Sequence, residues 1–99
     1  MSNQRFITLS AAIDAVSERG SAYGTVEDNF NRIAGLWSVL LEKEVTSAQV
    51  ALCLSALKMA RLMQTPDHHD SWVDLCGYAA CGGEVTNKKI WGGDPPSSE

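Results

Sequence analysis

From Ser47 to about Met63 the chain reads as one helical stretch that is apolar on most sides, through Val50, Ala51, Leu52, Cys53, Leu54, Leu57, Met59, Ala60 and Leu62. Its only charges are Lys58 and Arg61. A helix apolar all round needs neighbours on several faces. This segment is therefore expected at the centre of a helical assembly, and it constrains the fold more than any other. Thr46 followed three residues later by Gln49 has the spacing of a capping box, which sets its start, and Pro66 enforces a break beyond its end.

Three further helical stretches supply the neighbours. The first runs from about Leu9 to Arg19, with Leu9, Ala12, Ile13 and Val16 at helical spacing and Gly20 as its stop; Gly20 to Gly24 is read as a linker. The second starts at Thr25 as N-cap, carries Glu27 and Asp28 in its first turn, and presents Phe30, Ile33, Ala34, Trp37, Leu40 and Leu41. It is expected to end near Leu41, with Glu42-Lys43-Glu44 making the turn. The fourth opens between Asp67 and Ser71 and runs to about Cys81, with Trp72, Leu75, Cys76 and Ala79 as its apolar stripe and Gly82-Gly83 as its end. Trp37 and Trp72 sit at core spacing. No strand pattern appears. Short loops favour antiparallel neighbours, so the expected fold is all-α, a small antiparallel bundle of about four helices. Residues 1–83 form the helical domain, and residues 84–99, with Trp91 and Pro95-Pro96, an extended or flexible C-terminal tail.

With 99 residues there is room for one domain and one modest core, which self-association would help. Twelve acidic against eight basic residues leave a formal charge of −4, which argues against binding duplex nucleic acid. No apolar run reaches the ~18 residues of a membrane span, and the start Met-Ser-Asn-Gln-Arg-Phe is unlike a signal peptide. Three cysteines, Cys53, Cys76 and Cys81, without a Cys-x-x-Cys spacing, suit reduced thiols in a cytoplasmic setting and act as small apolar side chains.

Two polar groups of residues stand out. Lys58 and Arg61, three apart, share one face of the most apolar helix, where two cations need either carboxylates of the same chain or an anion from outside. His68, His69, Asp70 and Asp74 gather at the start of the fourth helix, the two aspartates four apart. Three uses overlap: the cations pair with Asp70 and Asp74 and lock two helices; the acids hold a metal; or Lys58 and Arg61 meet a phosphate. The metal use is short of ligands, since the third helix offers cations where a metal would want acids. Between the first two helices, Arg19, Tyr23 and Asn29 flank a Gly-containing loop in which Arg19 meets phosphate and Tyr23 stacks on a base, unless Tyr23 merely packs on the core. Ser71 beside His69 and Asp70 has the composition of a triad, but neighbours at a helix start cannot all face one another.

The run Glu18-Arg19-Gly20-x-x-Tyr23-Gly24, then Asn29-Phe30-x-x-Ile33-Ala34-x-Leu36-Trp37, Leu57-Lys58-x-Ala60-Arg61-Leu62 and His69-Asp70-Ser71-Trp72-x-Asp74-x-x-Gly77-Tyr78-Ala79-Ala80, resembles a family of small phage and prophage proteins. The part from Asp70 to Ala79 is also similar to the last motif helix of the all-α nucleotide pyrophosphohydrolases, the MazG-like superfamily. That resemblance implies a helical oligomer and a nucleotide ligand, with Asp70 and Asp74 matching an acidic pair that holds magnesium. The superfamily's Glu-x-x-Glu is absent where Lys58-Met59-Ala60-Arg61 stands, which favours direct contact with phosphates over metal-assisted hydrolysis.

The expectation is therefore a phage-type homo-oligomer in the cytoplasm of the infected bacterial host. It binds a nucleotide-like molecule, needs no cofactor and does not catalyse: a sponge for a host immune signalling nucleotide, such as a cyclic ADP-ribose variant or a cyclic oligonucleotide. Arg19, Lys58 and Arg61 would meet phosphates; Tyr23, Trp72 or Tyr78 would stack on a base; Asn29, His69, Asp70 and Asp74 would bond ribose or base or orient the cations. Two alternatives stand beside it. One is a divergent magnesium-dependent pyrophosphohydrolase using Asp70 and Asp74 with Glu18 or Glu27. The other is a module that binds a host protein through its apolar helices and Trp91.

Overall fold

The computed structural model describes residues 3–91, with side chains for 3–17 and 24–86. Four helices follow in order: α1 (Gln4–Tyr23), α2 (Val26–Leu41), α3 (Ser47–Gln64) and α4 (His69–Trp91). No strand occurs among the described residues.

The caps seen in the sequence set two helix starts. The Thr25 hydroxyl accepts the Asp28 amide at 3.0 Å and opens α2. At α3 the capping box is complete: Gln49 N–H donates to the Thr46 hydroxyl and Thr46 N–H to the Gln49 side chain. At the end of α2, Glu42 takes a left-handed conformation, φ 54° and ψ 45°. Its amide donates to Val39 C=O and that of Lys43 to Ser38 C=O, which satisfies two end carbonyls. The Ser38 hydroxyl then accepts the Val45 amide at 2.8 Å and ties the connecting turn back onto α2. A left-handed glutamate carries a steric cost that glycine avoids. Glu42→Gly is therefore expected to raise stability by about 0.5–1 kcal/mol, read as a higher urea midpoint; an unchanged or lower midpoint would remove the strain argument.

The glycine signals misplace the other two ends. Helix α1 runs through Gly20 to Tyr23, and the chain turns only at Gly24, whose φ of 82° requires glycine. A single glycine costs an α-helix about 1 kcal/mol, too little to stop it where no turn is needed. Helix α4 likewise continues through Gly82-Gly83 to Trp91, so the stretch from Glu84 to Trp91 is helical rather than extended. Gly82 serves packing: a Cβ there would lie 3.2 Å from the Ala51 Cβ, so the Ala51 methyl of α3 sits against the α4 backbone at Gly82. Residues 92–99 of the expected tail lie outside the described residues.

The core joins Phe30 and Ala34 of α2, Val50 and Ala51 of α3, and Cys81 and Val85 of α4. Val16 of α1 packs against it, as do Trp37 and Tyr78. The most extensive helix contact is α3 with α4, followed by α1 with α4. Two expected core faces turn outward. Helix α1 buries Ala12 and leaves Leu9 and Ile13 more than half exposed, because it lies on α4 through the side bearing Ala12 and Val16, the latter against Gly77. Helix α3 buries only the side bearing Val50, Ala51, Ser55 and Leu62, because three other helices of one chain do not surround it. Trp72, also expected inside, is 46 % exposed. None of the three cysteines forms a disulfide; Cys81 is buried, Cys76 half-buried and Cys53 exposed.

Candidate functional site

The α3–α4 turn gathers most of the polar chemistry. Pro66 ends α3, and a chain of backbone bonds carries it into α4: Thr65 N–H to Arg61 C=O, His68 N–H to Thr65 C=O, and Ser71 N–H to His68 C=O. Ser71 is fully buried, and its hydroxyl sits 2.7 Å from His68 Nδ1. That contact satisfies a polar atom which burial would otherwise make costly. The triad-like composition around Ser71 is therefore a structural clasp, with His68 and not His69 as the imidazole. The Trp72 indole N–H donates to Pro66 C=O at 2.8 Å and closes the same turn from outside.

Around this turn the two cations part company. Lys58 Nζ lies 2.8 Å from Asp74 Oδ2, with side chains 18 % and 38 % exposed. This is the helix-locking pair between α3 and α4. Arg61, one turn further on, is exposed and has no ion-pair partner among the described residues. It lines an open depression of about 360 Å³ with Gln64, Thr65 and His68. That volume lies within the range that holds small ligands, and Gln64, Thr65 and His68 place polar side chains beside the guanidinium. The four expected pairing partners thus divide: Lys58 takes Asp74, whereas Arg61 and Asp70 both stay open because Asp70 points to solvent from the first turn of α4.

The other expected site residues are scattered. His69 is exposed, its Nδ1 3.3 Å from the Gln4 side-chain amide of α1. Asn29 is half-buried in the first turn of α2. Tyr78 is half-buried further along α4 and borders a gap of about 20 Å³ with Asp74, Val16 and Phe30. That gap admits about one water and no nucleotide. The side chains of Arg19 and Tyr23, and of Glu18, lie outside the described residues, as does that of Trp91. No three His, Cys, Asp or Glu side chains converge among the described residues. Sequence reasoning missed Gln64 and Thr65 and gave His68 no ligand role; the signal available was position, since all three follow Arg61 around the Pro66 turn.

The family model described as "Domain of unknown function (DUF6378)" matches residues 7–86, nearly all of the four-helix unit. The chain belongs to the DUF6378 family. Its relatives include the "Gene 55 protein" of Mycobacterium phage D29, 39% identical over 75 residues, which is 76% of the DUF6378 chain and 50% of that relative. The "Gene 55 protein" of Mycobacterium phage L5 is 40% identical over 63 residues, 63% of this chain and 40% of that one. The DUF6378 chain thus spans half or less of the length of these curated phage proteins. No solved structure matches it significantly. Among the described residues no helix of the DUF6378 chain is long and apolar enough to cross a membrane.

Proposed function

We propose that this DUF6378 chain binds a nucleotide-like anion without cleaving it, and that it serves a phage as a sponge for a host signalling nucleotide. The observation carrying this reading is the open guanidinium of Arg61 in its depression with Gln64, Thr65 and His68. A planar guanidinium with free donors suits phosphate oxygens, and the neighbouring amide and hydroxyl offer partners for ribose or base. Trp72 stands at the same turn with an exposed ring for stacking. Lys58 is removed from ligand contact by Asp74 and holds the α3–α4 frame instead. The phage relatives support the biological setting.

Native mass spectrometry with cyclic ADP-ribose, a cyclic dinucleotide and ATP tests the reading. At least one should be retained with unchanged mass. Arg61→Glu should lower its affinity at least tenfold while leaving the helical circular-dichroism signal intact, since Arg61 is exposed. Equal retention by wild type and variant would remove the site. A cleaved product that requires magnesium would instead favour the pyrophosphohydrolase reading. A host-protein module is favoured by a different observation, the many large apolar side chains left exposed on α1, α2 and α3, and it predicts no retained nucleotide.

A further inference from the structure

Helix α3 carries a second apolar stripe on the side that the described residues leave uncovered. Leu52, Ala56, Met59 and Met63 are all exposed, Leu52 by 69 % and Met63 by 85 %. Their separations of four, three and four residues are those of alternating a and d positions, the spacing that seats one helix against another. Beside the stripe runs a groove of about 560 Å³ between α3 and α4. Its floor is made of small residues, Ala51, Ser55, Ala79 and Gly82, and it is lined by no charged side chain. Gly83 contributes to the opening, because a Cβ there would meet nothing within 4 Å.

We infer that this face is where a second copy of the chain docks, the Leu52–Met63 ridge of each copy lying in the α3–α4 groove of the other. Three observations select a copy of the same chain as occupant. Ridge and groove stand side by side on one face, so a two-fold axis between two chains brings each ridge over the other's groove. The groove lining and the four ridge residues are uncharged, in a chain of net charge −4, so two copies meet there without the repulsion their other surfaces carry. The area is of the right scale. An 18-residue helix is roughly 27 Å long and two packed helices present a face roughly 20 Å across, a projected area of roughly 540 Å² against the ~800 Å² of accessible surface each partner of a stable pair contributes. Lys58 leaves the face clear by reaching Asp74, and Arg61 lies in its own depression at the end of α3, so docking and the proposed anion site are separate features.

Sedimentation equilibrium of the full chain at micromolar concentration tests this. The expected mass is twice the chain's 10.7 kDa or an even multiple of it. Leu52→Asp with Met59→Asp should weaken the pairing at least a hundredfold and return the chain to single copies, with the helical signal kept because both positions are exposed. Met63→Lys, at the end of the ridge, should act in the same direction and serves if the double variant loses its fold. Val39→Asp, equally exposed but on α2, is the control and should leave the mass unchanged. A wild-type chain that sediments as a single copy at 100 μM overturns the inference. So does an assembly that survives the ridge substitutions, or one lost only with Val39→Asp. Nucleotide retention read on the same variants is independent: a ridge variant that dissociates yet holds the nucleotide separates this inference from the anion site.

Discussion

Phe30→Ala is expected to remove about 3–5 kcal/mol of stability, the largest effect of any single truncation in this chain. Phe30 is 2 % exposed and is the one aromatic ring in a cluster otherwise built from Ala34, Val50, Ala51, Cys81 and Val85. Those neighbours are small or short, so none can move in to fill the space left by the ring. The loss is large against the ~5–15 kcal/mol that holds a small domain together. Urea unfolding followed by circular dichroism measures it. A loss under about 1 kcal/mol would mean that α2 does not seat Phe30 between α3 and α4.

Reversing Lys58 should produce the next largest change. Lys58→Glu sets a second carboxylate against Asp74 where both side chains are partly shielded from water. Exposed pairs contribute up to about 1 kcal/mol, whereas breaking a buried one costs about 3–5 kcal/mol. An expected loss of about 2 kcal/mol lies between, and lowers the melting midpoint by roughly 8–16 °C in a domain of this size. Adding Asp74→Lys in the same chain should restore most of the loss, the coupling that a double-mutant cycle reads. Arg61→Glu, which breaks no pair, should leave the midpoint within about 3 °C. If Lys58→Glu leaves the midpoint unmoved, the pair does not lock the helices, and Lys58 becomes available to a ligand after all.

Much of the architecture was legible where the deciding interaction is local. Thr25 and the Thr46–Gln49 box act within one turn, and both start their helices as read. The acidic turn after Leu41 follows from its own residues too. Gly20 and Gly82 misled because a glycine reports what the backbone is free to do, and only the packing decides whether it does so. At Gly82 the neighbour that decides is Ala51, 31 residues earlier in the chain. The same distinction runs through the candidate site. Charge and position asked a partner for both Lys58 and Arg61; Lys58 takes one, and Arg61, exposed to water, needs none. Which of them would take a carboxylate depends on how α3 and α4 are registered, and the helical spacing of each alone is silent on that. His68 was grouped with His69, Asp70 and Asp74 but given no partner, although its distance of three residues from Ser71 is the spacing that lets an imidazole close onto a helix start. The outward turn of Leu9, Ile13 and the α3 ridge was illegible for another reason: an apolar residue at helical spacing looks the same whether its cover comes from its own chain or from another.

The bonded turn from Arg61 to Ser71 bears on speed as well as strength. Its backbone links and the His68–Ser71 contact leave the walls of the depression little to rearrange when an anion arrives. The ordering cost of capture then falls mainly on two long side chains, Arg61 and Gln64, at roughly 0.5–1.5 kcal/mol each. Association limited by encounter, without a slow conformational phase, is the kinetic signature such a preformed turn would impose on whatever anion it captures.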